Sequence, residues 1–232
     1  MKWLYLSGVF LGALLICFFY LFYSLPDNNE ISSSHETNIL FITIDALRAD
    51  HLGIYGYKRD TSPNIDKFFR NGIIYENAYS TEANTTPSVV SFLTGLHPQD
   101  TGIRLLYQKV PKKTMLISDY LSEEGYQTAG IVSNVVLCRE ATKLNLHFDF
   151  YDDFVDQKEP YRDIYERNAK DTTNAGIYWV EKDYKAGKPY FLWLHYQDPH
   201  GPYHPPSDKP KDFTHKHIKQ IDINKVPRYQ RG

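Results

Sequence analysis

Residues 38–45 read NILFITID, the first strand-like run of the sequence. It is apolar and partly β-branched up to Ile44, and it ends on a carboxylate, Asp45. A run of that kind predicts a strand buried on both faces, as in a parallel sheet. QTAGIVSN at 127–134 and PYFLWLHY at 189–196 repeat the pattern, and IIYENAY at 73–79 reads as one more strand. Helical stretches lie between them. SPNIDKFFRNG at 62–72 has Ser62 or Asn64 as cap, Ile65, Phe68 and Phe69 on one face, and Gly72 as stop. PSVVSFLTG at 87–95 predicts a short helix with Pro87 in its first turn. TMLISDYLSEEGY at 114–126 has helical spacing, and a long amphipathic helix is expected from about Asp163 to Tyr184. Strands alternating with helices predict an α/β sandwich around a mostly parallel central sheet.

The composition agrees with a packed domain. Hydrophobic residues make up 42% and aromatic residues 15%, which argues for a core and against disorder. A net charge of −2 gives no sign of a general nucleic-acid binder or a polybasic membrane-surface protein. The two cysteines, Cys17 and Cys138, lie far apart and form neither a disulfide framework nor a CxxC zinc spacing.

From Trp3 to Leu25 the chain carries no charge, over about the 20 residues that a bilayer-crossing helix needs. Lys2 precedes this run, and Asp27 and Glu30 follow it. That asymmetry predicts a single-pass signal anchor over residues 1–25, with the N-terminus cytoplasmic and the rest on the extracytoplasmic side. A cleaved signal peptide is the weaker reading, because the run is long and no A-x-A-like site follows. Residues 26–37, PDNNEISSSHET, suit a flexible linker, and the soluble domain is expected over 38–232.

In open α/β sheets, ligands bind beyond the carboxyl ends of the strands. That rule singles out Asp45, the segment around Thr85, Ser133 and Asn134, and then Asp198 and His200. Asp45 is either a helix cap or a metal ligand. NTTPSVVSFLTG at 84–95 sets hydroxyls before a helix N-terminus, whose free N–H groups suit a phosphate or sulfate. A threonine there can act as a nucleophile once a nearby metal lowers its pKa, or it can simply cap the helix. HYQDPHGPYHPP at 195–206 is expected to present His195, His200 and His204 from a loop stiffened by proline.

Four segments in order resemble the sulfatase family of the alkaline phosphatase superfamily. They are NILFITIDALRADHLGIYGY, TSPNIDKFFRNGIIYENAYS, TTPSVVSFLTGLHPQDTGI and FLWLHYQDPHGPYHPP, spanning residues 38 to 205. The resemblance implies an alkaline-phosphatase-like α/β sandwich and metal-dependent cleavage of sulfate or phosphate esters. It implies a divalent metal on Asp45 and Thr85, with Thr85 at the nucleophile position of the family's C/S-x-P-x-R motif. It also implies that His200, in the P-H-x-P-Y segment, meets the substrate or leaving group. Calcium is the ion that the sulfatase resemblance implies, whereas manganese, magnesium or zinc would suit a phosphotransferase.

Three departures shape the expectation. Ala46 stands where the family has a second aspartate. Thr85 and Val89 replace the cysteine or serine and the arginine, so no formylglycine is expected. The family's later metal ligands, in a segment like SDHGE, have no counterpart after Pro205, so the chain is expected to be the N-terminal part of the catalytic domain. The alternatives are a phosphoester transferase of the same superfamily and a truncated, non-catalytic binding protein tethered to the membrane.

Overall fold

The computed structural model describes residues 37–158 and 164–201. Its centre is a four-stranded sheet made of β1 (Ile39–Ile44), β2 (Gln127–Val132), β3 (Phe150–Asp152) and β6 (Tyr190–Tyr196), in the order β1-β6-β2-β3. All three pairings are parallel, with Thr43 opposite His195 and His195 opposite Val132. Two short strands, β4 (Gln157–Lys158) and β5 (Tyr165–Glu166), pair apart from it in antiparallel fashion. The helices are α1 (Pro63–Phe69), α2 (Thr85–Thr94), α3 (Pro98–Thr101), α4 (Ile117–Glu123), α5 (Arg139–Thr142) and α6 (Ala169–Tyr178). The mostly parallel α/β architecture is as the sequence predicts.

Alternation along β6 divides the core in two. Phe191 and Trp193 face a cluster with Val90 and Leu93 of α2, Leu116, Val132, Leu137 and Leu144. Leu192 and Leu194 face the other way, onto Ala129, Ile131 and Trp179. α6 packs on that second face, where a Cβ on Gly176 would come within 3.0 Å of Leu194. The sheet is therefore covered on both sides at β6 and β2.

Four local expectations are corrected. β1 is not buried on both faces, since Leu40 is 55% exposed and Ile42 49%. β1 is the end strand of the described sheet, and α6 packs chiefly on β6 and β2. IIYENAY forms no strand. Ile73 and Tyr75 are exposed, and no ladder partner lies beside them among the described residues. The long helix starts at Ala169 and not near Asp163, because Asn168 accepts from the Asp171 N–H and caps it, while β5 takes up the residues just before. α6 then continues as a π-helical turn, Trp179–Asp183. Finally, His195 belongs to β6 and is 2% exposed, so it is not carried by the loop.

The expected membrane segment 1–25, the linker apart from Thr37, His204 and the stretch after Pro205 lie outside the described residues. Among the described residues no helix is long and apolar enough to cross a membrane.

Candidate functional site

Parallel pairing brings the carboxyl ends of β1, β6 and β2 to one edge of the sheet. The residue after β1 is Asp45, whose N–H is tied to the Tyr196 carbonyl at 2.9 Å. β2 is followed by Ser133 and Asn134, and β6 leads through Gln197 to Asp198 and His200. Across the gap, α2 points its N-terminus at the same edge.

α2 begins at Thr85, two residues before Pro87, with Asn84 as an extended N-cap and Gly95 in the left-handed conformation as its stop. Its first two hydroxyls part company. Thr86 is fully buried and donates to the Val136 carbonyl at 3.2 Å. Thr85 is half-buried and donates to Asp45 Oδ2 at 3.0 Å. The helix face thus leaves Thr85 as the hydroxyl open to chemistry. Val89, one turn further along, is 2% exposed and belongs to the core.

Asp45 Oδ2 also accepts from Asn134 Nδ2 at 2.9 Å, and His195 Nε2 stands 3.8 Å away. Asp45 Oδ1 has no hydrogen-bond partner among the described residues. Burial pushes the Asp45 carboxyl up, but the His195 imidazole, the Thr85 hydroxyl and the nearby His200 outweigh it and hold the group below its ordinary value. Asp45 is therefore an anion at neutral pH. His200 donates from Nδ1 to the Gly201 carbonyl at 2.7 Å, since a carbonyl only accepts. Its Nε2 is left as the ring atom able to meet a ligand. Asp45, Thr85, Ser88, His195 and His200 line one open cleft of about 810 Å³.

The other strand-end residues hold the frame. Ser133 donates to the His195 carbonyl at 2.7 Å and accepts from the Gln197 N–H at 2.6 Å, stitching β2 to β6. Asp198 accepts from the Ala169 N–H at 2.7 Å, at the first turn of α6. Asn134 and His195 are the members of the site whose roles local sequence does not reveal. The signal that could find His195 is the alternation Phe191, Trp193, His195, which puts all three on one face of β6.

Ala46 follows Asp45 with φ of 53°, in the left-handed region that a side chain with Cβ disfavours. Ala46→Gly is expected to raise stability by about 1 kcal/mol, the relief of strain exceeding the extra entropy of glycine. Urea unfolding measures it.

For a divalent ion the donor set fits in part. Asp45 supplies a carboxylate and Thr85 a hydroxyl, both hard oxygens. Among the described residues no group of three His, Cys, Asp or Glu converges on one point.

A family model described as Sulfatase matches residues 37–231. Iduronate 2-sulfatase of Homo sapiens is 27% identical over 84% of this chain and 41% of its own length. N-acetylgalactosamine-6-O-sulfatase of Bacteroides thetaiotaomicron is 35% identical over 46% of this chain and 21% of its own. Among solved structures, a protein in complex with its substrate D-glucosamine-2-N,6-O-disulfate superposes with a TM-score of 0.61. It is 23% identical, over 72% of this chain and 35% of that one. A protein of the alkaline phosphatase superfamily from Vibrio parahaemolyticus superposes with a TM-score of 0.59 at 20% identity, over 78% of this chain and 45% of that one. The chain spans less than half the length of each of these relatives.

Proposed function

Because the chain belongs to the sulfatase family, we propose that it contributes the nucleophile-bearing half of a metal-dependent sulfate-ester hydrolase. The observation that carries this reading is the Thr85 hydroxyl, 3.0 Å from an ionised Asp45 at the start of α2. Thr85 has no route to formylglycine, so its own oxygen is the nucleophile. Asp45 and Thr85 would hold the divalent ion, calcium by family, together with donors beyond the described residues. When bound, that ion supplies the charge that lowers the hydroxyl pKa.

The protein's own groups carry the remaining work. Thr85 Oγ1 attacks the sulfur as its proton leaves along the hydrogen bond towards Asp45 Oδ2. The S–O bond to the leaving alcohol breaks on the opposite side, and the departing oxygen takes a proton from water. His200 Nε2, bare while Nδ1–H is committed to the Gly201 carbonyl, accepts a hydrogen bond from the alcohol so formed. The N–H groups in the first turn of α2 stabilise charge gathering on the sulfate oxygens. Water then cleaves the Thr85 ester and returns the hydroxyl. Phosphate esters fit the same geometry. The uncharged run 3–25 supports a membrane anchor that carries residues 38–232 on the extracytoplasmic side.

The test is turnover of 4-nitrophenyl sulfate and 4-nitrophenyl phosphate, with calcium, manganese and chelator in turn. Chelator-sensitive release of nitrophenol is expected, faster from the sulfate. Release that is indifferent to chelator would remove the metal from the reading.

A further inference from the structure

A line of polar groups runs through the core towards Asp45, two hydrogen bonds followed by one longer approach. Trp193 Nε1 donates to Thr43 Oγ1 at 2.9 Å, and Thr43 Oγ1 lies 2.8 Å from His195 Nδ1. His195 Nε2 lies 3.8 Å from Asp45 Oδ2 and has no hydrogen-bond partner of its own among the described residues. Trp193 is fully buried and His195 nearly so.

Both ends of the His195 ring point to one proton placement. The indole N–H can only donate, so it fills an acceptor position on Thr43 Oγ1. The hydroxyl hydrogen of Thr43 then has a single acceptor among the described residues, His195 Nδ1. At the other end, a bare Nε2 lone pair facing an anionic carboxylate would be repelled, whereas an Nε2–H is attracted.

We propose that His195 is a positioning residue, fixed as the neutral Nε2–H tautomer by Trp193 and Thr43, which directs that N–H at Asp45. Thr85, Asn134 and His195 thus converge on Oδ2, and Oδ1 remains for a ligand. The tautomer stands on its own, while its use in presenting Oδ1 rests on the reading of Asp45 as a metal-binding carboxylate. His200 serves as an internal contrast, because its Nδ1–H is committed to the Gly201 carbonyl. The two histidines of one cleft are opposite tautomers. In this line Thr43 plays for His195 the part that outer partners play for metal-bound histidines, but with the donor direction reversed.

The experiment is a long-range proton–nitrogen correlation spectrum of the full chain labelled with nitrogen-15 in histidine, recorded without metal at neutral pH. His195 is expected to be protonated at Nε2 and bare at Nδ1, and His200 the reverse. Thr43→Val should move the His195 Nδ1 resonance towards that of an unbonded imidazole nitrogen and leave His200 unmoved. A His195 ring protonated at Nδ1 with Nε2 bare would overturn the proposal and make the residue a candidate ligand. A doubly protonated ring would overturn it as well. A manganese titration of wild type, His195→Gln and His195→Leu reads the consequence for Asp45. Leucine is expected to weaken binding by about tenfold or more, and glutamine, which keeps an N–H donor, to recover most of it. If leucine binds as tightly as wild type, the positioning role falls. If wild type binds no manganese, the metal reading of Asp45 falls, and the spectrum still decides the tautomer.

Discussion

Thr85→Ala is expected to lower kcat for ester cleavage by about three orders of magnitude or more and to leave the fold intact. The expectation follows from how α2 begins. Thr85 is its first residue, half-buried, and its single described side-chain hydrogen bond goes to Asp45. Removing that hydroxyl takes nothing from the core. Thr86→Ala makes the contrast, because it deletes a fully buried hydrogen bond to the Val136 carbonyl and costs stability while sparing the chemistry. Thr85→Ser keeps an oxygen in place and should retain measurable turnover. The measurement is kcat and KM on 4-nitrophenyl sulfate alongside the circular dichroism spectrum of each variant. Turnover unchanged in Thr85→Ala would end the assignment.

Trp193→Ala is expected to destabilise the protein by about 3–5 kcal/mol, read from urea unfolding. Trp193 is fully buried in the middle of β6. Its ring lies 5.8 Å from that of Phe148, 6.2 Å from that of Phe92 and 5.8 Å from that of His195. Alanine there leaves a cavity between the sheet and α2 that rigid neighbours cannot fill. Trp193→Phe separates packing from polarity. It keeps most of the apolar contact but removes the Nε1–H, leaving Thr43 without its donor. Its cost should be smaller, about 1–2 kcal/mol. A Trp193→Ala variant as stable as wild type would mean that the core is not built around this ring.

Three of the four sheet strands, β1, β2 and β6, were legible because each is a largely apolar run, and at β1 a carboxylate directly after the run marks the strand's end. β3, by contrast, is three residues ending on an aspartate and gives no such signal. That is how Asp45 could be placed without a structure. The cap of α6 at Asn168 was harder to place, since the helical period alone does not say where a chain leaves a strand. IIYENAY shows the limit from the other side, because a strand-like pattern makes no strand without a neighbour to complete its hydrogen bonds. The residues His195 and Asn134 were named from the sequence, but their roles were hidden for a different reason. Each meets Asp45 through pairings across about 60 to 150 residues of sequence, as the contacts of Thr43 with His195 and of Ser133 with His195 show. Local spacing carries no record of those registers.

Alternation along β1 also bears on how the protein behaves in solution. Leu40 and Ile42 lie on one side of the strand, and Phe41, Thr43 and Asp45 on the other. The outward pair, on an end strand of the described sheet, is the kind of surface through which chains stick to one another as concentration rises. A lysine at position 40 or 42 would blunt that tendency without touching the side that carries Asp45. Colloidal behaviour can therefore be tuned on one side of β1 and chemistry on the other, where Thr43 leads to Asp45 just past the end of the strand.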